Sequence, residues 1–230
     1  MRLKDWDELP DVLRNEETLP YYTALKKKKN SLAVKRVLDV FLSSVLLLVL
    51  SPLILTVSAA VRLDSEGRVF FRQLRYTQYK KQFYIYKFRT MIENAEHTGS
   101  QLTVSEDPRL TRIGTFLRRL RIDEVPQLIN IFKGEMSFVG TRPEVGKYIQ
   151  HYSAEMNATL LLPAGLTSEA SLNFKDEHEL FSSGEDPDEV YINRILPEKM
   201  KYNLKYLQEF SLAGDIKLMF RTISAVFRSS

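Results

Sequence analysis

The sequence contains no cysteine among its 230 residues and only three histidines. The absence of cysteine excludes a disulfide framework and a thiolate-based metal site, and it suits a reducing compartment. The histidines, at positions 97, 151 and 178, do not have the spacing of metal ligands, so no zinc site is indicated. A Walker-type phosphate loop, a glycine-rich dinucleotide fingerprint, a Ser-His-Asp arrangement and internal repeats are also missing. The chemistry of this chain must therefore be sought in other motifs.

Hydrophobic residues make up 44% of the chain, which is enough to bury a sizeable core, and nothing indicates more than one catalytic domain. The formal net charge is a modest +4, but the positive residues are clustered. On charge alone, such clusters suit nucleic acid, nucleotides or anionic lipid headgroups.

The longest stretch without a charged residue covers residues 40–61, which is long enough to cross a bilayer as a helix. Ser51 and Pro52 lie in its middle, where proline removes a backbone donor and bends a helix. Both flanks are basic, and the tendency of cytoplasmic loops to carry Lys and Arg places both ends on the cytoplasmic side. We therefore predict a re-entrant membrane helix over residues 35–62. Composition alone also allows a single-pass helix or a buried core helix.

The N-terminal segment, residues 1–34, is polar and basic. Its apolar residues recur at roughly helical spacing and predict a short amphipathic helix, formed around Leu3, Trp6, Leu9, Val12 and Leu13. The four lysines at residues 26–29 form either a solvated linker or an anchor to anionic lipid. The apolar stretch that follows favours the anchor.

Residues 63–230 are expected to form a cytoplasmic catalytic domain. Aromatic and basic residues alternate over residues 68–91 around a turn at 76–81, which predicts a β-hairpin whose basic side chains could line a nucleotide diphosphate site. The same alternation is found where proteins grip single-stranded nucleic acid. The predicted fold is therefore α+β and mainly helical, with a re-entrant helix-break-helix, interfacial amphipathic helices and a small β-hairpin or sheet.

Several further elements follow from the apolar patterns. Residues 108–121 predict a basic amphipathic helix that lies at a membrane interface or packs on the core, and residues 215–227 predict a second helix with the same two alternatives. The other predictions are a loop at 92–106, a short helix at 127–132 ended by Gly134, a buried strand or turn at 136–139, a helix near 145–156, a solvated acidic insertion at 176–189 and a helix over 190–210.

The most informative stretch covers residues 118–144. It brings together a run of arginines, the carboxylates Asp123 and Glu124, and a second basic site at Arg142. Anionic oxygens are bound by guanidinium groups through paired hydrogen bonds, and adjacent carboxylates can hold a divalent cation or supply an attacking group. The alternative is that Asp123 and Glu124 are solvated charges that cap a helix starting near Pro126.

The string R-x-D-E-x-P-Q-L-x-N-x-x-K-G-x-M-S-x-V-G-x-R-P-E at residues 121–144 resembles the signature of the bacterial monotopic phosphoglycosyl transferases. Further matches lie in the same order at residues 35–39, 71–75, 87–91, 107–114 and 211–217, so the resemblance covers residues 33–225. The chain departs from the family pattern at Thr141, where relatives have proline, and at Ser168 and Ser171. It also has no glycine in the turn at 76–81, so a different turn geometry is expected there.

The resemblance implies transfer of a sugar 1-phosphate from a UDP-sugar to a polyprenyl phosphate. Asp123 would attack the β-phosphorus, forming a phosphosugar-aspartyl intermediate and releasing UMP, and Mg²⁺ would be held by Asp123 and Glu124. Arg118, Arg142 and Arg89 would hold phosphate oxygens, although Arg118 could instead pair with a lipid headgroup or a carboxylate. The resemblance also assigns a membrane helix break to Ser51 and Pro52, and a supporting motif to Pro126, Gln127, Pro143 and Glu144.

The expected location is the cytoplasmic face of the bacterial inner membrane, with membrane lipid as a partner, no nucleic-acid partner, and a homo-oligomer allowed. Two other interpretations stay open from the sequence. One is a non-catalytic, membrane-associated scaffold or polyanion-binding module that uses the basic helices. The other is a one-step transferase in which Asp123 is only a metal ligand.

Overall fold

The computed structural model describes residues 1–93, 95, 107–174 and 185–228. Most of the predicted loop at 92–106, and the first part of the predicted acidic insertion at 176–189, lie outside these residues. His97 and His178 lie outside them too.

The described residues form a mainly helical α+β fold, as predicted. Its strands are β1 (Phe70–Tyr76), β2 (Gln82–Phe88), β3 (Met136–Val139) and β4 (Ala164–Thr167). Its α-helices are α1 (Leu19–Lys27), α2 (Lys29–Val49), α3 (Ser51–Asp64), α4 (Arg112–Arg119), α5 (Leu128–Lys133), α6 (Gly146–Ile149), α7 (Glu169–Asn173), α8 (Pro187–Val190), α9 (Leu196–Glu209) and α10 (Leu212–Arg228).

Helices α2 and α3 form a bent pair, with a 61° bend at the single residue between them. The predicted break at Ser51 and Pro52 is thus confirmed. Proline has no N–H for the carbonyl of Leu48, and the Ser51 hydroxyl donates to that carbonyl at 2.7 Å. Ser43 and Ser44 of α2 both donate to the Val40 carbonyl.

Among the described helices, none is both long and apolar enough to cross a membrane by itself, and α2 with α3 meets that criterion only as a bent pair. The pair exposes large apolar side chains along its length. Phe41 is 62% exposed, Leu48 is 76% exposed and Leu55 is 71% exposed. A solvent-facing helix pair of a globular domain would carry polar residues at such positions.

The predicted β-hairpin is confirmed, because β1 and β2 pair antiparallel from Phe70 opposite Phe88 to Tyr76 opposite Gln82. Its turn places Tyr79 and Lys80 in the left-handed region, at φ 60° and 58°, without a glycine. Such a conformation is uncommon outside glycine. Here the Tyr79 side chain is buried and its hydroxyl accepts from the Lys4 N–H at 2.9 Å, so tertiary contacts hold the turn.

The predicted amphipathic helix in the N-terminal segment is wrong. Residues 6–13 form two single-turn 3-10 helices, Trp6–Glu8 and Asp11–Leu13, which are separated by Pro10. Leu3, Leu9 and Leu13 are nevertheless buried, in a core cluster with Leu161, Phe210 and other residues of the catalytic region. The segment is part of the main core rather than a separate polar arm.

Two of the lysines at residues 26–29 are held by contacts within the protein. Lys28 donates to the carbonyls of Gln208 and Phe210 at 3.0 and 2.8 Å, at the C-terminal end of α9, where a positive charge is favourable. Lys26 forms an ion pair with Asp5. Lys28 is therefore tied to the fold rather than part of a solvated linker, and anchoring to anionic lipid stays a prediction.

Strand β3 is confirmed as a strand and pairs in parallel with β4, with Met136 opposite Ala164 and Val139 opposite Thr167. The two chains approach closely beyond β3. A Cβ atom added at Gly165 would lie 2.2 Å from the nitrogen and oxygen of Gly140. Only glycine fits this contact, which fixes the start of the loop that carries Arg142.

Three predicted helices have different bounds. Helix α4 begins at Arg112 rather than residue 108, because Thr111 caps it by accepting from the Gly114 N–H at 3.0 Å. The helix predicted near 145–156 is only the single turn α6, so that prediction is wrong. The pattern over 190–210 is helical as predicted, with a π-helical turn at Tyr191–Ile195 before α9.

The predicted C-terminal helix is confirmed as α10. Its apolar residues Ile216, Phe220 and Ile223 are 48%, 66% and 53% exposed. Leu218 on the opposite side is buried in the core cluster that contains β3 and α5. Most of the apolar face that the sequence predicted therefore points away from the core.

Candidate active site

Asp123 and Glu124 lie on a short 3-10 helix, Ile122–Gln127, between α4 and α5. Arg121 precedes it in the left-handed conformation, at φ 56°, and Gly134 ends α5 at φ 88°. Neither carboxylate caps a helix, and Asp123 is buried while Glu124 is mostly buried. The alternative of two solvated capping charges is therefore wrong.

Glu124 is held by two cations on one oxygen. Its Oε1 accepts from Lys87 Nζ at 2.8 Å and from Arg142 Nη2 at 2.6 Å. Burial alone would raise the pKa of Glu124, but Arg142 and Lys87 outweigh it and hold the pKa well below the usual range. Glu124 is thus a fixed negative charge at neutral pH.

Asp123 has a different environment. Burial raises its pKa, the charge of Lys87 lowers it, and the neighbouring Glu124 raises it again, with a net upward shift. Its Oδ1 is buried and has no hydrogen-bond partner in the described part of the chain. A buried carboxylate oxygen without a partner costs free energy unless a ligand or a reaction uses it.

Two of the three predicted phosphate-binding arginines are brought to the carboxylates. Arg142 contacts Glu124 directly. Arg118 lies on α4, where its Nε donates to the Thr90 hydroxyl at 2.9 Å and its charge acts on Asp123. Helix α4 can lie this close because Gly114 rests on the Thr90 carbonyl, which a Cβ atom would meet at 2.0 Å.

The structure does not bring Arg89 into this cluster. Its guanidinium donates to the carbonyls of Ser65 and Glu66, and to the Ser65 hydroxyl at 2.9 Å. These contacts fix the chain just after α3, so in this structure the Arg89 donors bind the end of the bent helix pair rather than the carboxylates.

The sequence did not predict Lys87 as a site residue, although Lys87 and Arg89 both lie in the matched motif K-F-R-T-M at residues 87–91. Side chains alternate across a strand, so Phe83, Ile85 and Lys87 share one face of β2. Phe83 and Ile85 are buried in the core cluster with Leu128, immediately beyond the 122–127 helix. Extending the alternation from Phe83 and Ile85 to the next residue on the same face of β2 would have identified Lys87.

The supporting motif residues fix the loop that follows β3. The Pro143 carbonyl accepts from Arg75 Nη1 at 3.0 Å, and the Glu144 carbonyl accepts from the Tyr76 N–H at 3.1 Å. The Glu144 carboxylate accepts from the Tyr191 hydroxyl in the π-helical turn. Strand β1 and this turn therefore hold the backbone on the far side of Arg142.

The other two motif residues, Pro126 and Gln127, lie on the same short helix as the carboxylates. Both are buried, and neither the Oε1 nor the Nε2 atom of Gln127 has a hydrogen-bond partner among the described residues. Together with Asp123 Oδ1, they place three unpartnered polar atoms on one 3-10 helix.

The carboxylate pair fits Mg²⁺. No group of three or more His, Asp or Glu side chains in the described ranges forms a complete cation site. Mg²⁺, however, is often bound by one or two carboxylates and completes its coordination with substrate phosphates and water. The unpartnered Oδ1 of Asp123, next to the ionised Glu124, matches such a site.

The buried carboxylate pair thus contacts two cations, and its short helix packs through Ile122 and Val125 against Val57 and Val61 of the bent apolar helix pair. The sequence matches the family model described as bacterial sugar transferase over residues 30–229. This chain therefore belongs to the bacterial sugar transferase family.

Three curated relatives illustrate the similarity. A UDP-glucose:undecaprenyl-phosphate glucose-1-phosphate transferase of Escherichia coli K12 is 33% identical over 96% of this chain and 44% of the relative. A UDP-N-acetylgalactosamine-undecaprenyl-phosphate N-acetylgalactosaminephosphotransferase of Aeromonas hydrophila is 32% identical over 84% of this chain and 43% of the relative. The exopolysaccharide production protein ExoY of Sinorhizobium fredii is 32% identical over 84% of each. This chain thus spans less than half of the first two relatives.

Proposed function

We propose that this protein transfers a sugar 1-phosphate from a UDP-sugar to a polyprenyl phosphate. Membership of the bacterial sugar transferase family supports this, and so do the names of the relatives, which specify UDP-sugars and undecaprenyl phosphate. The observation that carries the proposal is the buried Oδ1 atom of Asp123, which has no hydrogen-bond partner among the described residues. The positive charges of Lys87 and Arg118 act on the same carboxylate.

In the first half-reaction, a carboxylate oxygen of Asp123 attacks the β-phosphorus of the UDP-sugar. The bond from that phosphorus to the bridging oxygen breaks, UMP leaves, and the sugar phosphate is bound to Asp123 as an acyl phosphate. In the second half-reaction, an oxygen of the polyprenyl phosphate attacks the same phosphorus and Asp123 is released. Two displacements through a covalent intermediate replace one difficult step with two easier ones.

The cations of the site would stabilise the negative charge on the phosphate groups in both half-reactions. Lys87, Arg118 and Arg142 would hold the phosphate oxygens, since phosphoryl transfer depends mainly on positioning and electrostatic stabilisation. Mg²⁺ bound by Asp123 and Glu124 would supply neutralisation of the diphosphate and of the departing phosphate. Glu124, ionised at neutral pH, would hold the ion throughout the reaction, while Asp123 would supply the reacting oxygen.

The test of the chemistry uses purified protein, a panel of UDP-sugars and polyprenyl phosphate. At least one sugar donor should release UMP, and Asp123→Asn should reduce the release to background. Without the acceptor, intact-mass analysis should show one added sugar phosphate, located on the peptide with Asp123. Asp188→Asn is the matched control, because Asp188 pairs with Lys147 and Tyr148 instead of the site cations.

Three outcomes separate the alternatives. Binding of membranes or polyanions that is unchanged in Asp123→Asn, together with no UMP release by the wild type, would support the non-catalytic scaffold or polyanion-binding module. UMP release without any mass gain under trapping conditions would support a one-step transferase with Asp123 as a metal ligand. No UMP release with any donor would contradict the proposed reaction.

We further propose that α2 and α3 form a re-entrant anchor at the cytoplasmic face of the bacterial inner membrane, in contact with membrane lipid. The exposed apolar side chains and the 61° bend support this arrangement. It would let the polyprenyl phosphate stay at the interface while the UDP-sugar arrives from the cytosol, so neither substrate need cross the bilayer. A homo-oligomer is compatible with it.

The absence of native cysteine allows a direct test of this topology. Asn30→Cys and Glu66→Cys place single thiols at exposed positions on the two flanks of the pair. A membrane-impermeant maleimide should label both in inverted vesicles and neither in right-side-out vesicles. Labelling of the two positions from opposite sides would mean that the pair crosses the membrane once.

A further inference from the structure

One turn near the start of α2 contacts both segments that flank the catalytic carboxylates. Arg36 donates to the carbonyls of Ile131 and Phe132 at 2.7 and 2.8 Å. These carbonyls lie in the last turn of α5, where carbonyls lack the usual helical partner, and the Ile131 carbonyl also accepts from the Gly134 N–H that caps the helix, at 3.0 Å. Because α5 follows directly on the 122–127 helix, Arg36 fixes the chain on the C-terminal side of Asp123 and Glu124.

Asp39 contacts the other segment. Its Oδ1 accepts from the Ser137 hydroxyl at 3.1 Å and from the Phe138 N–H at 3.2 Å, both in β3. Phe138 is the next-to-last residue of β3, which pairs with β4 through residues 136, 137 and 139. The Asp39 carboxylate thus bonds both a side-chain hydroxyl and a backbone N–H of β3, and β3 leads within three residues to Arg142.

The surroundings of Asp39 make this contact a rigid one. Asp39 is only 3% exposed, and Ser137 is fully buried. On the same turn of α2, Lys35 forms a buried ion pair with Asp215 of α10 at 2.5 Å, and Asp215 also accepts from the Tyr206 hydroxyl at 2.9 Å. Charge-assisted hydrogen bonds are strong where water is excluded, so this turn of α2 is fixed to α9, α10, α5 and β3 together.

We propose that Asp39 is a positioning residue for the reaction: its carboxylate sets the position of β3, and through it the position of Arg142 on Glu124. This inference rests on the proposed function. It also means that the helix pair is the part of the molecule against which the two halves of the active site are aligned, in addition to any role as an anchor.

The test compares two conservative variants of Asp39. Asp39→Asn keeps an acceptor oxygen at the same distance from the backbone but removes the charge. Asp39→Glu keeps the charge but moves the carboxylate by one methylene. If Asp39 acts by position, Asp39→Asn should have the higher kcat of the two. If it acts by its charge on the site, Asp39→Glu should have the higher kcat.

The expected sizes follow from geometry. A displacement of about 1 Å in an active site can cost about 100-fold in rate, so Asp39→Glu should lower kcat by about 10- to 100-fold. Asp39→Asn should stay within about threefold, because a neutral acceptor retains roughly half the strength of a charged one. The KM for the UDP-sugar should change less than kcat in both variants. Ser44→Ala is the control on α2, because its hydroxyl contacts only Val40 among the described hydrogen bonds.

Hydrogen exchange supplies a readout that does not depend on activity. The peptide that contains residues 136–139 should exchange faster in Asp39→Glu and at the native rate in Asp39→Asn and Ser44→Ala. A higher kcat for Asp39→Glu than for Asp39→Asn, or native exchange and native kcat in both, would overturn the proposal. An inactive wild-type protein would contradict the proposed function. The relative hydrogen-exchange rates of residues 136–139 in the variants would still test whether Asp39 holds β3 in place.

Discussion

Lys87 and Arg142 meet on the same oxygen of Glu124, at 2.8 and 2.6 Å. Lys87 lies 37 residues before Glu124 and Arg142 lies 18 residues after it. This one carboxylate oxygen therefore joins strand β2, the 122–127 helix and the loop after β3. It explains how two motifs that are distant in sequence, residues 87–91 and 121–144, form one site.

The first prediction concerns Lys87→Met. The substitution keeps the length of the side chain and removes the charge, so Glu124 keeps only Arg142 of the two cations. We expect UMP release to fall by about 10- to 100-fold, the usual loss when a partner of a metal-binding carboxylate is removed, which is the role proposed for Glu124. Lys87→Arg, which keeps the charge, should retain more activity. Equal activity of the wild type and Lys87→Met would remove Lys87 from the site.

The second prediction concerns pH. In the proposed mechanism Asp123 must be ionised to attack. Burial raises its pKa, so activity should fall with decreasing pH at a higher pH than for an ordinary aspartate. The charge of Lys87 lowers this pKa. Its removal should therefore raise the pKa of Asp123 and shift the acid limb of the residual activity in Lys87→Met to higher pH. Rates from about pH 4 to pH 9 measure the limb, and a shift to lower pH would contradict this electrostatic account.

The third prediction concerns the helix break. Ser51→Ala leaves the Leu48 carbonyl without its hydroxyl donor and should lower the free energy of unfolding by about 1–2 kcal/mol. In a Pro52→Ala background, residue 52 regains an N–H that can bond the same carbonyl. The loss caused by Ser51→Ala should then be close to zero. Thermal unfolding in detergent micelles gives the stabilities of the wild type, the two single variants and the double variant. Equal losses in both backgrounds would show that the Ser51 hydroxyl does not compensate for the missing N–H of Pro52.

The fourth prediction concerns the close contact beyond β3. Gly165→Ala would place a Cβ atom 2.2 Å from backbone atoms of Gly140, which cannot rotate away. We expect a loss of about 1–3 kcal/mol in stability, together with lower activity because Gly140 leads to Arg142. Gly146→Ala is the control, since its nearest neighbour would be a Tyr76 ring atom at an ordinary 3.4 Å. Similar unfolding temperatures for the two variants would argue against the contact.

The sequence predicted the parts of the site that lie close together along the chain. Asp123, Glu124 and Arg142 belong to one motif, and each is found in the carboxylate and cation cluster. The hairpin and the Ser51-Pro52 break were also readable, because alternation and proline act locally. These are features whose cause lies within a few residues.

The remaining features depended on contacts between distant segments. Lys87 and Arg89 are two residues apart and chemically alike, and only the end of β2 decides that Lys87 meets Glu124 while Arg89 turns to the carbonyls after α3. The N-terminal leucines have helical spacing, yet Pro10 and the core beneath them favour two short turns. The period of apolar residues does not indicate which surface they will cover.

The burial of Leu13 and Leu25 beneath the tip of the hairpin has a practical consequence. The family match begins at residue 30, but both leucines lie before it and fill a cluster with Leu161 and Phe210. A version cut back to the matched region would expose that cluster to water and leave the left-handed Tyr79 without the backbone donor of Lys4. The region that the family model matches is therefore smaller than the unit that packs together, and recombinant or chimeric designs should keep the first twenty-nine residues.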